Sequence, residues 1–388
     1  MTFRSPFPEV EIPDVPLTEF VFSRASRHAD RPALVDGLSG RALTYGQLRA
    51  SVRAAAAGLA RRGFVKGDVL ALYSPNLPEY VVAFHAVATL GGVVTTVNTL
   101  YTVEEVRSQL KDSGAKYLVT VPTLVERARE AAAGAGLREL FVFGEAEGAT
   151  PFASLLEGGG DPPAVEIDPG EDLVALPYSS GTTGVCKGVM LTHRNLVANL
   201  AQTRGAGHDW GDETLVCVLP LFHIYGMVAI MSHGLYCGAT VVTLPRFDFE
   251  QLLRTMRDYR VTFAHLVPPI ILALSKSPLV DSYDLSALGT VFSGAAPLGA
   301  ELARACSERL GCVVVQGYGM TETSPATHLS SKEHNKPGSV GLCVPGMECR
   351  LVSVETGEDV GVGERGEILV RGPQVMKGYL NRPEATAQ

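Results

Sequence analysis

The chain has 388 residues, of which 46% are hydrophobic, and a formal net charge of −8. Single hydrophobic cores seldom grow past about 250–300 residues, so we expect two or three compact units. The negative charge argues against binding to nucleic acid. The seven cysteines include no Cys-x-x-Cys pair, so their spacing supports neither a disulfide framework nor a zinc box. We expect reduced, mostly buried thiols.

Helix and strand signals alternate in the first part of the chain. Thr44 and Gln47, and again Thr102 and Glu105, have the spacing of capping boxes at the starts of helices. The apolar run at residues 69–73 indicates a buried strand between two such helices. This alternation predicts a doubly wound α/β fold.

The composition changes twice further along the chain. Residues 145–170 are rich in Gly, Pro, Ala and acidic residues, which favours a linker. Beyond residue 332, short β-branched runs are broken by turns that contain Gly, which indicates a small all-β unit. We therefore expect a first α/β lobe at residues 1–170, a second α/β lobe at 171–330 and a truncated small β subdomain at 331–388.

One long stretch raises the question of a membrane. Residues 215–245 contain no Asp, Glu, Lys or Arg, and about 20 apolar residues suffice for a spanning helix. Pro220, His223 and His233 interrupt this stretch, which favours a strand, a loop, a buried helix and a second strand. The N-terminal residues include prolines and acids where a signal peptide requires an unbroken apolar core. We therefore expect no membrane insertion and a cytoplasmic location.

A ten-residue segment, Tyr178-Ser-Ser-Gly-Thr-Thr-Gly-Val-Cys-Lys187, combines hydroxyls, glycines and one lysine. Its glycines allow positive φ, which lets backbone N–H groups close around an oxyanion, and its lysine adds positive charge. A Walker A loop needs Gly directly before the lysine and Ser or Thr directly after it, but Cys186 and Gly188 hold those places. The segment predicts a phosphate cradle of another kind, against the alternative of a turn without function.

A second segment, Gln316-Gly-Tyr-Gly-Met-Thr-Glu322, follows an apolar run that ends at Val315. Tyr318 offers a flat face to a base, Thr321 a donor to a phosphate oxygen, and Glu322 a hard oxygen ligand for Mg²⁺. A tyrosine near a strand end is more often a packing residue. This segment alone is therefore weak support for a nucleotide site.

Together with Leu219-Pro-Leu-Phe-His-Ile-Tyr225 and Ser293-Gly-Ala-Ala-Pro297, these segments resemble the adenylate-forming superfamily of acyl-CoA synthetases, luciferases and peptide synthetase adenylation domains. Residues 267–278 and 283–286 are most similar to the 4-coumarate:CoA ligase branch. The resemblance implies the large N-terminal domain of that superfamily, with two doubly wound α/β lobes packed together plus a small distorted β-barrel. Relatives continue with a C-terminal lid domain that carries a lysine for adenylation, and we expect this chain to be a truncated body without the lid.

The resemblance also implies a role for each motif residue. The first segment would hold the β- and γ-phosphates of ATP, and the second segment with residues 294–297 would line the adenine and face the α-phosphate. The implied ATP-binding residues are Ser179, Ser180, Gly181, Thr182, Thr183, Gly184, Lys187, Gly294, Ala295, Ala296, Pro297, Gln316, Gly317, Tyr318, Gly319, Met320 and Thr321. The implied acid-binding residues are His223, Tyr225, Ala229, Ala295, Gly317, Pro325 and Ala326. The implied catalytic residues are Lys187, His223, Thr321 and Glu322, of which Glu322 would bind Mg²⁺.

The expected function is an AMP-forming acid:CoA ligase. ATP, Mg²⁺ and coenzyme A are the implied cofactors and co-substrates. The small or flat residues around the acid favour an aryl acid of the cinnamate or 4-coumarate type. The alternatives are a medium- or long-chain fatty acyl-CoA ligase on the same fold and a non-catalytic protein that binds ATP or an acyl-adenylate. An NTPase is disfavoured, because the sequence has neither a Walker-type nor a kinase-type loop. We expect weak or incomplete turnover from the truncated chain.

Overall fold

The computed structural model describes residues 2–179 and 186–388. In chain order, the strands are β1 (Thr2–Arg4), β2 (Pro32–Asp36), β3 (Ala42–Thr44), β4 (Val69–Tyr73), β5 (Val93–Thr96), β6 (Tyr117–Thr120), β7 (Glu139–Val142), β8 (Thr150–Pro151), β9 (Leu173–Ala175), β10 (Tyr178–Ser179), β11 (Lys187–Thr192), β12 (Thr214–Cys217), β13 (Thr240–Thr243), β14 (Phe263–Leu266), β15 (Thr290–Ser293), β16 (Val313–Gly319), β17 (Ala326–Leu329), β18 (Leu342–Cys343), β19 (Glu348–Val352), β20 (Glu367–Arg371) and β21 (Gly378–Tyr379).

The α-helices are α1 (Leu17–Val21), α2 (Tyr45–Arg61), α3 (Pro78–Thr89), α4 (Val103–Ser113), α5 (Val125–Ala132), α6 (His193–Gly205), α7 (His233–Cys237), α8 (Phe249–Asp258), α9 (Pro268–Lys276), α10 (Ala300–Leu310) and α11 (Pro383–Ala387). A π-helix, Tyr225–Ser232, directly precedes α7. Short 3-10 helices lie at Ala25–His28, Pro122–Leu124, Phe152–Leu155, Pro278–Ser282 and Thr321–Thr323.

The first sheet has the strand order β10-β11-β9-β5-β4-β6-β7-β8, and β21 pairs with β11. Strands β9, β5, β4, β6, β7 and β8 run parallel to their neighbours, while β10, β11 and β21 are joined by antiparallel pairing. Leu70 and Leu72 of β4 belong to a core that includes α2 and α3, whereas Ala71 and Tyr73 belong to another core with α4 and α5. Helices therefore cover both faces, as a doubly wound sheet requires.

The second sheet has the strand order β18-β17-β16-β15-β14-β12-β13-β2-β3. Its six central strands, from β16 to β2, are parallel, and the outer strands are antiparallel. Strands β2 and β3 precede residue 45, so this sheet is assembled from two distant stretches of the chain. The domain boundaries at residues 170 and 330 stay predictions.

The predicted all-β unit beyond residue 332 is a three-stranded antiparallel sheet in the order β1-β19-β20. Strand β1 comes from the N-terminus and pairs with β19. The other two strands of this stretch pair elsewhere, since β18 extends the second sheet and β21 extends the first. Residues 332–388 therefore contact both large sheets.

Several local predictions are confirmed. Thr44 caps α2 and Thr102 caps α4, and in both cases the side chain three residues later closes a capping box. Residues 215–245 form β12, a loop, the π-helix continued by α7, and β13.

Within residues 2–179 and 186–388, no helix is both long enough and apolar enough to cross a bilayer.

Helix α6 carries three buried amide side chains, Asn195, Asn199 and Gln202. Each amide nitrogen donates to backbone carbonyl groups of segments that are distant in sequence. The accepting carbonyl groups belong to Ala326, Pro345, Pro373 and Val375. Buried polar groups need such partners, because an unsatisfied one costs about 1–3 kcal/mol. Helix α6 therefore holds β17 and the segment before β21 in place.

Helix α2 packs closely on the 3-10 helix Phe152–Leu155, which lies within the stretch predicted as a linker. Phe152 and Leu155 are buried, so this part of residues 145–170 is docked onto the first lobe. A Cβ on Gly58 would lie 2.2 Å from the Leu155 carbonyl oxygen. Only glycine allows the two backbones to approach so closely.

We expect Gly58→Ala to destabilise the protein by about 1–3 kcal/mol, because the backbone clash outweighs a gain of up to about 1 kcal/mol in helix propensity. Urea unfolding of the parent and the variant measures the difference. Ala54→Gly in the same helix is the control and should cost about 1 kcal/mol through propensity alone. A Gly58→Ala protein as stable as the parent would contradict the close approach.

Candidate active site

A cavity of about 1150 Å³ lies between the two large sheets. Its walls come from the loops that follow β12, β15 and β16, from the π-helix, and from β10 and β11 of the first sheet. Open α/β sheets bind ligands outside the carboxyl ends of their parallel strands. The loops after β12, β15 and β16 are at those ends, which makes this cavity the candidate active site.

Most of the predicted site residues are brought together around this one cavity. The predicted residues that line it are Ser179, Lys187, His223, Tyr225, Ala229, Gly294, Ala295, Gly317, Tyr318, Gly319, Met320, Thr321, Glu322, Pro325 and Ala326. The predicted phosphate-loop residues Ser180, Gly181, Thr182, Thr183 and Gly184 lie outside the described residues.

Three predicted residues do not line the cavity. Ala296 and Pro297 are exposed to solvent beyond its edge. Gln316 is buried, and its amide exchanges two hydrogen bonds with the backbone of Leu298, at 3.2 and 3.3 Å. The Gln316 side chain therefore supports the turn after β15, and its contact with a nucleotide stays a prediction.

The carboxylate of Glu322 is oriented by two hydroxyl groups. Ser179 Oγ donates to Glu322 Oε1 at 2.8 Å, and Tyr379 Oη donates to the same oxygen at 2.9 Å. Among the residues that the structure describes, Oε2 of Glu322 accepts no hydrogen bond. One carboxylate oxygen is therefore held while the other is left for a ligand in the cavity.

Tyr379 also organises the position of Lys187, whose Nζ lies 4.6 Å from the centre of the tyrosine ring. Such a cation–π contact contributes about 0.5–2 kcal/mol. Burial and the hydrogen bond to Glu322 raise the pKa of Tyr379 to about 12, so its hydroxyl stays a donor at neutral pH. The tyrosine thus contacts the cation with its ring and the carboxylate with its hydroxyl.

Sequence reasoning missed Tyr379. It lies 57 residues beyond Glu322, outside each motif, and reaches the cavity because β21 pairs with β11. This antiparallel pairing of two-residue β21 with the strand that begins at Lys187 has no signature in the local sequence. A tyrosine after Gly378 is an ordinary strand pattern, so only the tertiary structure identifies it.

His223 is solvent-exposed at the cavity wall. Its Nδ1 accepts a hydrogen bond from the backbone N–H of Tyr225 at 3.2 Å. Desolvation by the surrounding walls lowers the pKa of His223, so the ring is neutral at pH 7. Because Nδ1 is an acceptor, the neutral ring carries its proton on Nε2. His223 therefore offers one N–H donor.

Tyr225 and two glycines define a narrow slot. Tyr225 Oη donates to the Phe292 carbonyl oxygen at 3.3 Å and lies 3.2 Å from His265 Nδ1, so the ring is held at its far end. A Cβ on Gly294 would lie 2.7 Å from the Tyr225 ring, and one on Gly317 would lie 2.7 Å from Phe292. Glycine at both positions is therefore required for this packing.

Ala295, next to Gly294, has a φ of +67°. A non-glycine residue rarely adopts this left-handed conformation, which costs about 1–3 kcal/mol and occurs most often at functional sites. Ala295 lines the cavity, so the strained residue lies where the sequence predicts both adenine and acid contacts.

The cavity extends beyond the predicted acid site to four aromatic or imidazole side chains that sequence reasoning missed. These are His208, Trp210, His233 and His265. Trp210 makes edge contacts with His233 and His265, at centroid distances of 4.4 and 4.8 Å. His208 and Trp210 lie in the loop between α6 and β12, His233 begins α7 and His265 lies on β14, so no single motif in the sequence links all four.

All three histidines of this deep group are neutral. Burial lowers the pKa of His208 to about 4 and that of His233 to about 3, and it holds the pKa of His265 well below its usual range. Each has one ring nitrogen without a hydrogen-bond partner among the described residues. The deep end of the cavity is therefore uncharged, but its three histidines each keep a ring nitrogen that could form a hydrogen bond with a ligand.

The sequence matches known proteins over its whole length. Residues 21–380 match the family described as AMP-binding enzyme. The 4-coumarate–CoA ligase 3 of Oryza sativa subsp. japonica is 40% identical over 397 residues, which span 100% of this chain and 72% of that protein. The 4-coumarate–CoA ligase 2 of Petroselinum crispum is 40% identical over 398 residues, or 100% of this chain and 73% of that protein.

Solved structures agree with the predicted fold class. A long-chain-fatty-acid-CoA ligase from Archaeoglobus fulgidus superposes with a TM-score of 0.92 at 27% identity, over 100% of this chain and 80% of that chain. The anthranilate CoA ligase AuaEII, solved in complex with anthranoyl-AMP, has a TM-score of 0.87 at 25% identity, over 97% of this chain and 72% of that chain. The chain therefore belongs to the AMP-binding enzymes, the adenylate-forming family that includes the 4-coumarate–CoA ligases.

Proposed function

We propose that the chain activates an aryl acid of the cinnamate type with ATP, forming an acyl-adenylate and pyrophosphate, and then supports transfer of the acyl group to coenzyme A. The main support for this function is the shape and lining of the cavity. A single cavity joins Lys187 and Glu322, which suit a nucleoside triphosphate, to the slot beside Tyr225. The relatives named as 4-coumarate–CoA ligases support the same chemistry.

In the first half-reaction, a carboxylate oxygen of the acid attacks the α-phosphorus of ATP, and the bond to the oxygen bridging to the β-phosphate breaks. Pyrophosphate leaves with that oxygen, and the acid becomes a mixed anhydride with AMP. No nucleophile from the protein is needed. Lys187 and the donors around the phosphates stabilise the charge that develops there, while the cavity holds the reacting atoms in line.

The residues present fit a Mg²⁺ ion. The unbonded Oε2 of Glu322 is a hard oxygen of the kind Mg²⁺ prefers, and the ion usually binds through one or two carboxylates together with substrate phosphates. A bound Mg²⁺ would supply positive charge for the phosphate oxygens. Ser179 and Tyr379 hold the carboxylate by its other oxygen, which orients it before the nucleotide binds.

In the second half-reaction, the thiol of coenzyme A loses its proton to solvent and its sulfur attacks the acyl carbon, and the bond from that carbon to the phosphate oxygen breaks as AMP leaves. His223 would stand between the bound acid and this thiol. Its Nε2–H can donate to a carboxylate oxygen of the acid, because its other nitrogen is occupied by the Tyr225 N–H. A neutral imidazole suits this role, since an imidazolium would hold the carboxylate too tightly as an ion pair.

The slot supports a planar ring as the acyl part. Tyr225 is fixed by a hydrogen bond from its hydroxyl group. Gly294 and Gly317 have no side chain, so the aromatic rings of Tyr225 and Phe292 can pack closely against them. Ala229 adds only a methyl group to the wall. A rigid flat acid would lose little conformational entropy on entering such a space, whereas a flexible alkyl chain would lose more.

A fatty acyl-CoA ligase is the second candidate, and a specific feature favours it. A smaller cavity of about 380 Å³ shares His208 and Trp210 with the main cavity. These two side chains separate the cavities. A fatty acyl chain that displaced them could extend from the main cavity into the smaller one. The similarity to the Archaeoglobus fulgidus long-chain-fatty-acid-CoA ligase points the same way.

We expect Glu322→Gln to abolish the Mg²⁺ dependence of ATP binding. The parent should bind ATP about tenfold more tightly with Mg²⁺ than with EDTA, equal to about 1.4 kcal/mol, and the variant should bind equally under both conditions. Calorimetric titration measures the four affinities. Glu308→Gln, at an exposed position of α10, is the matched control. Mg²⁺ dependence that persisted in Glu322→Gln would remove the carboxylate from its proposed role.

The acyl class is tested by titrating the protein with cinnamoyl- and decanoyl-sulfamoyl-adenosine, which are stable analogues of the two adenylates. We expect the cinnamoyl compound to bind at least about tenfold more tightly, or 1.4 kcal/mol. Preference for the decanoyl compound would move the assignment to fatty acids.

The slot itself is tested by Ala229→Leu. The larger side chain should weaken binding of the cinnamoyl analogue by about tenfold or more, because it fills space that the ring needs, and should leave ATP affinity unchanged. Ala133→Leu, at an exposed helix end, controls for a general effect of leucine. Unchanged cinnamoyl binding in Ala229→Leu would show that the acyl part lies elsewhere.

A further inference from the structure

Three potential metal ligands meet where the second sheet joins the small sheet. They are the ring of His328 on β17, the thiol of Cys343 on β18 and the thiol of Cys349 on β19, and their ligand atoms all lie within 4.8 Å of one another. Cys343 and Cys349 are buried, with 7% and 5% of their surface exposed. His328 is half-buried, which leaves a route for an ion.

The tautomer of His328 is set by its neighbours. Thr327 Oγ donates its one hydrogen to the Tyr318 carbonyl oxygen at 3.0 Å. The same Oγ lies 3.0 Å from His328 Nδ1, so it must accept from Nδ1–H. The lone pair of the neutral ring is therefore on Nε2. That atom lies 3.3 Å from Cys343 Sγ, so the unprotonated nitrogen faces the thiols.

The histidine and the two thiols are preorganised to bind a thiophilic metal ion. Histidine ligands almost always donate their other ring N–H to a fixed acceptor, which orients the ring and raises its basicity. Zinc binds sulfur at about 2.3 Å and imidazole nitrogen at about 2.0–2.1 Å. In a tetrahedral site these lengths place the ligand atoms about 3.5–3.8 Å apart. Little movement of the three side chains would produce that geometry.

We propose that His328, Cys343 and Cys349 bind a thiophilic divalent cation of the Zn²⁺ class, with a water molecule as the fourth ligand. Binding releases the thiol protons to solvent, as metal thiolates require. The site is separate from the proposed Mg²⁺ position at Glu322 and needs no ATP or acid. It would join β17 and β18 of the second sheet to β19 of the small sheet, so we expect the bound ion to stabilise the contact between the two sheets.

The cysteine spacing explains why the sequence concealed this site. Cys343 and Cys349 are six residues apart in a stretch without another Cys or His, and zinc signatures usually bring paired cysteines closer together. The histidine comes from another strand, where it pairs with Cys343 across β17 and β18. Only the sheet register brings the three groups together.

The test is a Co²⁺ titration of the reduced protein, because Co²⁺ replaces Zn²⁺ in thiolate sites and is coloured there. All proteins carry Cys186→Ser, since this exposed thiol would bind metal on its own. We expect one Co²⁺ per chain, with a thiolate charge-transfer band and tetrahedral d–d bands, both removed by added Zn²⁺. We also expect Zn²⁺ to raise the unfolding temperature, and EDTA to reverse the increase.

Four variants of the site and one control variant make the assignment specific. Cys343→Ser, Cys349→Ser and His328→Ala should each remove the bands and the thermal shift. Thr327→Val should weaken Zn²⁺ binding by about 10–100-fold, the usual cost of losing such a supporting hydrogen bond. Cys306→Ser removes another buried thiol, on α10, and should leave both the Co²⁺ bands and the thermal shift unchanged. Circular dichroism checks that each variant is folded.

Two results would overturn the proposal. One is the absence of stoichiometric Co²⁺ binding by the folded parent. The other is binding that survives in Cys343→Ser and Cys349→Ser. Neither result bears on the proposed ligase function, because ATP and acyl-adenylate binding are measured independently.

Discussion

The arrangement of the candidate site depends on the buried amides of α6. Asn199 both donates to and accepts from the backbone of Ala326, at 2.8 and 3.1 Å, which fixes β17 beside the cavity. Asn195 donates to the carbonyl groups of Pro373 and Val375, only a few residues before Tyr379. Each bond satisfies the amide of a buried side chain, and leaving such a group unsatisfied would cost about 1–3 kcal/mol. One helix thus positions both β17, beside the proposed acid slot, and the segment that leads to Tyr379.

The site also depends on keeping most of its polar groups uncharged. His208, His233 and His265 are neutral because burial lowers their pKa values, and desolvation by the cavity walls lowers the pKa of His223. The charged groups, Lys187 and Glu322, both contact Tyr379, one at its ring and the other at its hydroxyl. A cavity of this kind leaves its cation and its carboxylate available for ligands, and the low local dielectric strengthens the interactions that they make.

Much of this could be predicted from the sequence, because its signals are local. Capping boxes and buried strands follow from short-range spacing, and motif residues such as Lys187 and Glu322 follow from chemistry concentrated in short loops. Tyr379 and Trp210 could not be predicted, since they reach the cavity through long-range strand pairing and aromatic packing. Gln316 lies within a motif, yet its amide supports a turn. The local sequence cannot distinguish a side chain that faces a ligand from one that faces the backbone.

The most direct test of the account is a single-turnover reaction with the protein in excess over ATP that is labelled at the α-phosphate, in the presence of Mg²⁺ and cinnamate. Excess protein makes slow chemistry visible, and the product identifies which phosphorus is attacked. The account predicts cinnamoyl-AMP, together with pyrophosphate, only when the acid is present. Formation of ADP, or an unchanged nucleotide despite measurable binding of ATP and of the cinnamoyl analogue, would contradict it.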